Sequence, residues 1–161
     1  MEFACQLNRR DFARASAVAA VAASSLPAAE NKGYIDAHVH VWTPDTKRYP
    51  LDSSFKKEDM QPSSFTPKQL FSHCQPVGVD RIVLIQMSFY RFDNSYMLDM
   101  MEQHPGVFGG VAVIDENDRP AREMVKLARQ GVRGFRIRPD AQTPDQWLSG
   151  EGMHDMWKAG A

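Results

Sequence analysis

The chain has 161 residues, 43% hydrophobic and 24% charged, with a formal net charge of -1. That length supports one domain with a real core, and the near-neutral balance excludes the basic surface that nucleic-acid binding needs. Of two cysteines, Cys5 falls in the N-terminal leader, so Cys74 stands alone beyond it and no internal disulfide is expected.

Asn8-Arg9-Arg10-Asp11-Phe12-Ala13-Arg14 reads as a twin-arginine export signal. Behind it Ala15 to Leu26 is small and mildly apolar, and Pro27-Ala28-Ala29 supplies small residues for cleavage. The organisation expected is a signal peptide over residues 1–29, then a folded unit over 30–161, exported to the periplasm. The competing reading is an amphipathic Ala-rich helix on a cytoplasmic protein. The apolar run is far shorter than the roughly 18 residues of a membrane span, so no stable span is expected.

Tyr34 to Trp42 alternates strictly, with Ile35, Ala37, Val39 and Val41 on one parity and Asp36, His38, His40 and Trp42 on the other. A strand turns successive side chains to opposite faces, so both imidazoles share a face. Residues two apart on a strand lie roughly 6.6–6.8 Å apart at the backbone, and side chains leaning together from there can meet on one metal ion. Paired histidines also decorate ordinary exposed strands, so spacing alone leaves ligation open.

From Trp42 to Phe65 the sequence is polar and Pro-rich, a loop leaving the strand's C-terminal end. In parallel α/β folds sites are built there, and Tyr49 is a candidate pocket or packing residue. Thr66-Pro67-Lys68-Gln69 carries the cap, first-turn proline and third-position Gln of a helix start. Its expected buried stripe is Leu70, Phe71, Cys74 and Val77. Arg81 to Met87 is a nearly continuous apolar strand, as expected of one covered on both faces. At its end Gln86, Ser88 and Tyr90 share a parity, level with His38 and His40.

Asp93 or Asn94 is expected to cap a second helix that buries Met97, Leu98, Met100 and Met101 and stops at Pro105. Val107 to Ile114 is a third strand. Asn117 or Asp118 is expected to cap a third helix, with Ala121, Met124, Val125 and Ala128 inward. Val132 to Arg138 is a fourth strand whose Arg136 and Arg138 share a parity near its C-terminal end. A fourth helix follows Thr143-Pro144-Asp145-Gln146, with Met153, Met156 and Trp157 on its stripe and Gly150 and Gly152 interrupting its start. His73, His104 and His154 fall on helices and read as surface or boundary residues.

Strand, loop, helix and glycine thus recur four times, with Gly78-Val79, Gly106-Val107 and Gly131-Val132 opening three strands. Such alternation means parallel pairing with right-handed crossovers. Four units are half of a (β/α)8 barrel, which typically needs about 250 residues. The expectation is α/β: an N-terminal half of a TIM barrel after an export leader. It is either a fragment or a half that self-associates through its open sheet edges.

The Asp36-x-His38-x-His40-x-Trp42 stretch resembles the first-strand signature of the amidohydrolase superfamily, and more nearly its amidohydrolase-related branch of lactonases and decarboxylases. Three further stretches are similar to that branch: Trp42-Thr43-Pro44-Asp45 through Arg48-Tyr49-Pro50-Leu51, Gly78 to Gln86 with Asp93-Asn94-Ser95-Tyr96, and Gly131 to Arg136. The resemblance runs from about Tyr34 to the end of the chain. It implies a divalent metal, zinc foremost, on His38 and His40, with the other ligands and an aspartate base supplied by strands beyond this sequence. No catalytic residue is therefore assignable here, and some lactonases of this branch use the same histidines to hold substrate without metal. It further implies a small-molecule substrate and hydrolysis of a lactone, ester or amide carbonyl. Arg136 and Arg138 stand where a substrate carboxylate would be gripped bidentately, with a salt bridge as the plainer alternative; Gln86, Ser88, Asn94 and Tyr49 are further candidate contacts. A decarboxylase, and an inactive fragment that binds a small carboxylate, remain alternatives.

Overall fold

A computed structural model describes residues 33–137 and 148–161. Its strands are β1 (Tyr34–Val39), β2 (Val79–Ile85), β3 (Phe108–Ala112) and β4 (Val132–Phe135). Its helices are α1 (Pro67–Cys74), α2 (Ser95–Gln103), α3 (Pro120–Arg129) and α4 (Glu151–Gly160). The strands form one parallel sheet in the order β1-β2-β3-β4. This is the expected four-unit βα array. The signal-peptide reading of residues 1–29, and the Thr143-Pro144-Asp145-Gln146 helix start, lie outside the described residues.

Local sequence explains the repeat. Pro67 starts α1, where a missing N–H costs nothing, and the Gln69 side chain reaches back to accept from the Thr66 N–H at 2.8 Å. Gly78, Gly106 and Gly131 all sit at positive φ, 82°, 79° and 97°, which lets each helix end and the next strand begin within a residue or two. The core fills the space between sheet and helices. Ile82, Leu84, Ala112 and Val132 meet Leu70, Cys74, Met97, Met100, Met124 and Leu127, all buried. Gly110 gives up a side chain because Met97 and Met101 occupy the volume that a Cβ would need.

Several expectations are corrected. Val77 is 66% exposed because α1 tightens into a 3-10 turn over Gln75–Val77, which rotates it off the buried stripe. Ser88 and Tyr90 do not continue the β2 parity: the strand stops at Ile85 and Ser88–Tyr90 is a 3-10 turn. Asn94 occupies the cap position of α2, but its side chain makes no cap bond. Arg119, rather than Asn117 or Asp118, caps α3, in the left-handed region ahead of Pro120. Gly152 lies inside the first turn of α4, where the Glu116 carbonyl occupies the place of a Cβ. Trp157 and Val125 are about half exposed, at 57% and 49%. They flank an apolar groove along β4, an edge of the sheet that nothing else covers among the described residues. Tyr34 and Ile35 are likewise exposed on the opposite edge, and the apolar parity that β1 begins is buried only two residues past its end, at Val41. No helix of the described residues is long and apolar enough to cross a membrane.

Candidate active site at the carboxyl ends of the strands

His38 lies in β1 and His40 one residue past its end, and the two rings meet edge to face with centroids 5.2 Å apart. The convergence depends on an irregularity in β1. Asp36 pairs with Ile82 and Val39 with Leu84, so β1 spends one residue more than β2 over this span. Such a bulge re-aims the side chains around it. The Asp36 carboxylate braces it by accepting from the His38 backbone N–H at 3.1 Å.

His40 is held more tightly than His38. Its Nδ1 lies 2.8 Å from the carbonyl oxygen of Ile85, the last residue of β2. A carbonyl only accepts, so Nδ1 carries the proton and Nε2 keeps its lone pair. Burial pushes the His40 pKa below its ordinary value, and the nearby His38 and Arg136 charges push the same way, against the bond to Ile85. The ring is thereby kept neutral, with one nitrogen available as a ligand or acceptor. A metal-binding histidine is commonly fixed by this kind of N–H bond to a carbonyl. Among the described residues no group of three or more His, Cys, Asp or Glu could hold a metal ion. The pair by itself offers two nitrogen donors.

Arg136 follows β4, its backbone N–H bonded to the Ala112 carbonyl at 2.7 Å, and its charge acts on His40. It also lines a cavity of about 380 Å³ over the ends of β2, β3 and β4, shared with Asp52, Ser88, Arg91 and Asn117. Larger cavities lie beside the start of α3 and along β4 without meeting Arg136, and His38 and His40 line none of the three.

The other candidates are placed as follows. Ser88 lines the same cavity as Arg136. Gln86 is buried, and its amide donates to the carbonyls of Asp93 at 2.6 Å and Arg91 at 3.3 Å, bracing the loop after β2. Asn94 is clamped onto Val113, donating to its carbonyl at 2.9 Å and accepting from its N–H at 3.2 Å. Tyr49 is buried against Tyr96 of α2 and donates to Asp99 at 2.5 Å; burial, with that bond, raises its pKa to about 12. These three groups serve packing and loop geometry in the structure. Arg138 lies outside the described residues. His73 and His154 are exposed on α1 and α4, while His104 packs on Phe71 and Phe108. Asp52 and Arg91, which also line the cavity, sit in loops without periodicity and carry no motif that would mark them in the sequence.

A parallel βα sheet with paired imidazoles at its carboxyl ends resembles the N-terminal part of the TIM barrel in the solved structures it matches. A family model described as amidohydrolase matches residues 35–159, and the chain belongs to that family. It is 31% identical over 105 residues to a 2-pyrone-4,6-dicarboxylate hydrolase of Comamonas testosteroni, covering 65% of this chain and 33% of that one. Among solved structures it is similar to one from Pseudomonas putida described as a 2-pyrone-4,6-dicarboxylic acid hydrolase. The TM-score is 0.61 at 25% identity, over 78% of this chain and 43% of that one. The fold also matches a manganese-bound 5-carboxyvanillate decarboxylase of Novosphingobium aromaticivorans, with a TM-score of 0.57 at 16% identity, over 81% of this chain and 48% of that one. The chain thus spans a third of the curated relative's length and less than half of each of these structures.

Proposed function

We propose that the chain supplies the His38/His40 half-site of a hydrolase in which water attacks a lactone, ester or amide carbonyl. In this reading Arg136 grips a carboxylate of the same small-molecule substrate. The observation that carries it is the pair of converging rings, one fixed with Nε2 free and within reach of the Arg136 charge. His40 orients by its bond to Ile85. His38, on the exposed side of the pair, completes a two-nitrogen grip. A divalent metal held by these nitrogens would polarise the carbonyl and acidify a bound water. Its identity, zinc foremost, is part of the proposal; a manganese ion is bound in the decarboxylase neighbour. Arg136 offers a planar fork that matches a carboxylate and would set which carbonyl faces the histidines.

The decarboxylase neighbour supports a second reading on the same fold, carbon dioxide release from a carboxylated substrate. A third is a chain that binds a small carboxylate without turnover. Incubation with a pyrone dicarboxylate lactone separates all three. Ring-opened acid supports hydrolysis, carbon dioxide supports decarboxylation, and saturable binding with neither product supports the binder. Loss of ring opening in a His38→Ala/His40→Ala variant that still folds is expected; unchanged turnover would remove the histidines from the mechanism.

Export through the twin-arginine segment is proposed alongside. Asn8 to Arg14 supports it, as does the small apolar run that follows.

A further inference from the structure

Among the described residues the sheet has two bare edges, and they differ in a complementary way. Along β4 runs an apolar groove of about 530 Å³, lined by Val125, Val132, Phe135, Met156 and Trp157. Trp157 of α4 borders it at 57% exposure. Along β1 it is the strand itself that lacks cover: Ile35 and Ala37, on its apolar parity, are exposed beside Tyr34. One edge offers a helix flank with no strand beneath it, and the other a strand face with no helix above it.

The charges differ in the same sense. Arg129 and Arg133 are exposed beside the start of β4, and neither forms an ion pair among the described residues. The Arg133 guanidinium donates to the Ala128 and Val132 carbonyls instead, both at 2.8 Å. At the β1 edge the Asp80 carboxylate lies against Gly33, 53% exposed and 4.0 Å from Arg81. A basic edge and an acidic edge thus belong to the same chain.

Strand direction decides which edges meet. The open side of β4 continues a parallel sheet only if the next strand runs the same way, and β1 of a second copy can do so. Pairing β4 with β4 would oppose Arg133 to Arg133 and leave Tyr34 and Ile35 in water. Two β4-to-β1 seams about a two-fold axis use every bare edge and join four strands to four, the eight of a closed barrel.

We propose that the β4 edge docks β1 of a second copy of this chain, and that the second copy brings its own His38 and His40 to the shared mouth. This rests on the reading of His38 and His40 as metal donors. One chain offers two ring nitrogens at the carboxyl ends of its strands, and among the described residues no group of three ligands. The two-fold sets the same pair on the opposite wall. Four nitrogens then face one ion, the number that tetrahedral zinc takes.

The test is sedimentation velocity of the full chain with zinc uptake measured alongside, for the unsubstituted protein and for Trp157→Glu and Ile35→Asp. Both substitutions fall at exposed positions, so circular dichroism should show folding retained. The unsubstituted chain is expected to reach twice the chain mass in a concentration-dependent step and to bind one zinc per two chains. Each substitution is expected to raise the dimer dissociation constant at least about 30-fold, the loss an interface anchor carries. Mixing the two variants is expected to recover part of the dimer, because a mixed pair keeps one seam intact. A chain that stays monomeric leaves the groove to another partner and overturns the proposal. So does an Ile35→Asp chain that dimerises undiminished, which would make the contact β4 to β4, or a dimer that binds one zinc per chain. Zinc held by a monomer through His38 and His40 would remove the second copy and leave the histidine reading standing. A dimer whose zinc uptake is absent, or unchanged in His38→Ala/His40→Ala, would instead end that reading and the shared ion while the seam stands.

Discussion

Replacing Asn94 by alanine tests how the strand ends are held in place. Asn94 is 5% exposed, and its carboxamide donates to the carbonyls of Phe92 and Val113, at 3.0 and 2.9 Å, and accepts from the Val113 N–H at 3.2 Å. Val113 directly follows β3 and is itself buried, so alanine strands both of its backbone groups. Each buried group left unsatisfied costs about 1–3 kcal/mol. The two together give about 2–6 kcal/mol, and water entering from the adjacent cavity offsets part of it, leaving about 2–4 kcal/mol. The assay is urea unfolding of the full chain followed by far-ultraviolet circular dichroism, read as a lower midpoint at unchanged slope. Asn94→Asp sharpens the test. A carboxylate still accepts from the Val113 N–H but cannot donate to its carbonyl, so the loss in this variant relative to the unsubstituted chain should be larger at pH 7 than at pH 4, where a protonated carboxyl can donate. A loss below about 0.5 kcal/mol in Asn94→Ala would refute the clamp and return Asn94 to the pool of substrate contacts.

Further predictions concern the histidine pair, the helix approach, the loop latch and the leader. Because the folded pKa of His40 is depressed, its contribution to stability is present above the unfolded value of about 6.5 and lost as pH falls through the folded value. The Tm of the chain should therefore fall more steeply below pH 6.5 than that of His40→Gln, and parallel curves would contradict the burial argument. Gly152→Ala should destabilise by about 1–3 kcal/mol in the same urea assay, because the Glu116 backbone carbonyl occupies the Cβ position and cannot yield as a side chain would. Tyr49→Phe should cost about 1 kcal/mol by urea unfolding through the lost bond to Asp99. The Tyr49 phenol should titrate near pH 12 by ultraviolet absorbance; ionisation near 10 would contradict its burial. Arg9→Lys with Arg10→Lys should hold the chain in the cytoplasm with its leader uncleaved, and an unchanged periplasmic fraction would remove the export proposal.

The fold was legible where local chemistry repeats. The three Gly-Val openings, the proline-started helices and the apolar runs of β2 and β3 each act over a few residues, and the structure uses them as written. Burial was legible only where both partners lie in the described sheet. Val125 and Trp157 carry an inward-reading period, yet they border the uncovered edge along β4. At the site, alternation correctly put His38 and His40 on one side, but the bulge that converges them depends on the β2 register, which β1 alone does not encode. Tyr49 stayed open between pocket lining and packing because its partner Asp99 lies 50 residues away on α2. Arg91 was silent for a related reason: its backbone conformation is imposed by Ser88 and Gln86, and no pattern in its own loop announces it.

The most direct measurement is a zinc titration of the full chain followed by histidine side-chain nitrogen NMR. The account predicts that the His40 Nδ1 stays protonated throughout while its Nε2 and one nitrogen of His38 shift together over a single saturable transition. Shifts confined to His73, His104 and His154, or a His40 that loses its Nδ1 proton instead, would contradict it.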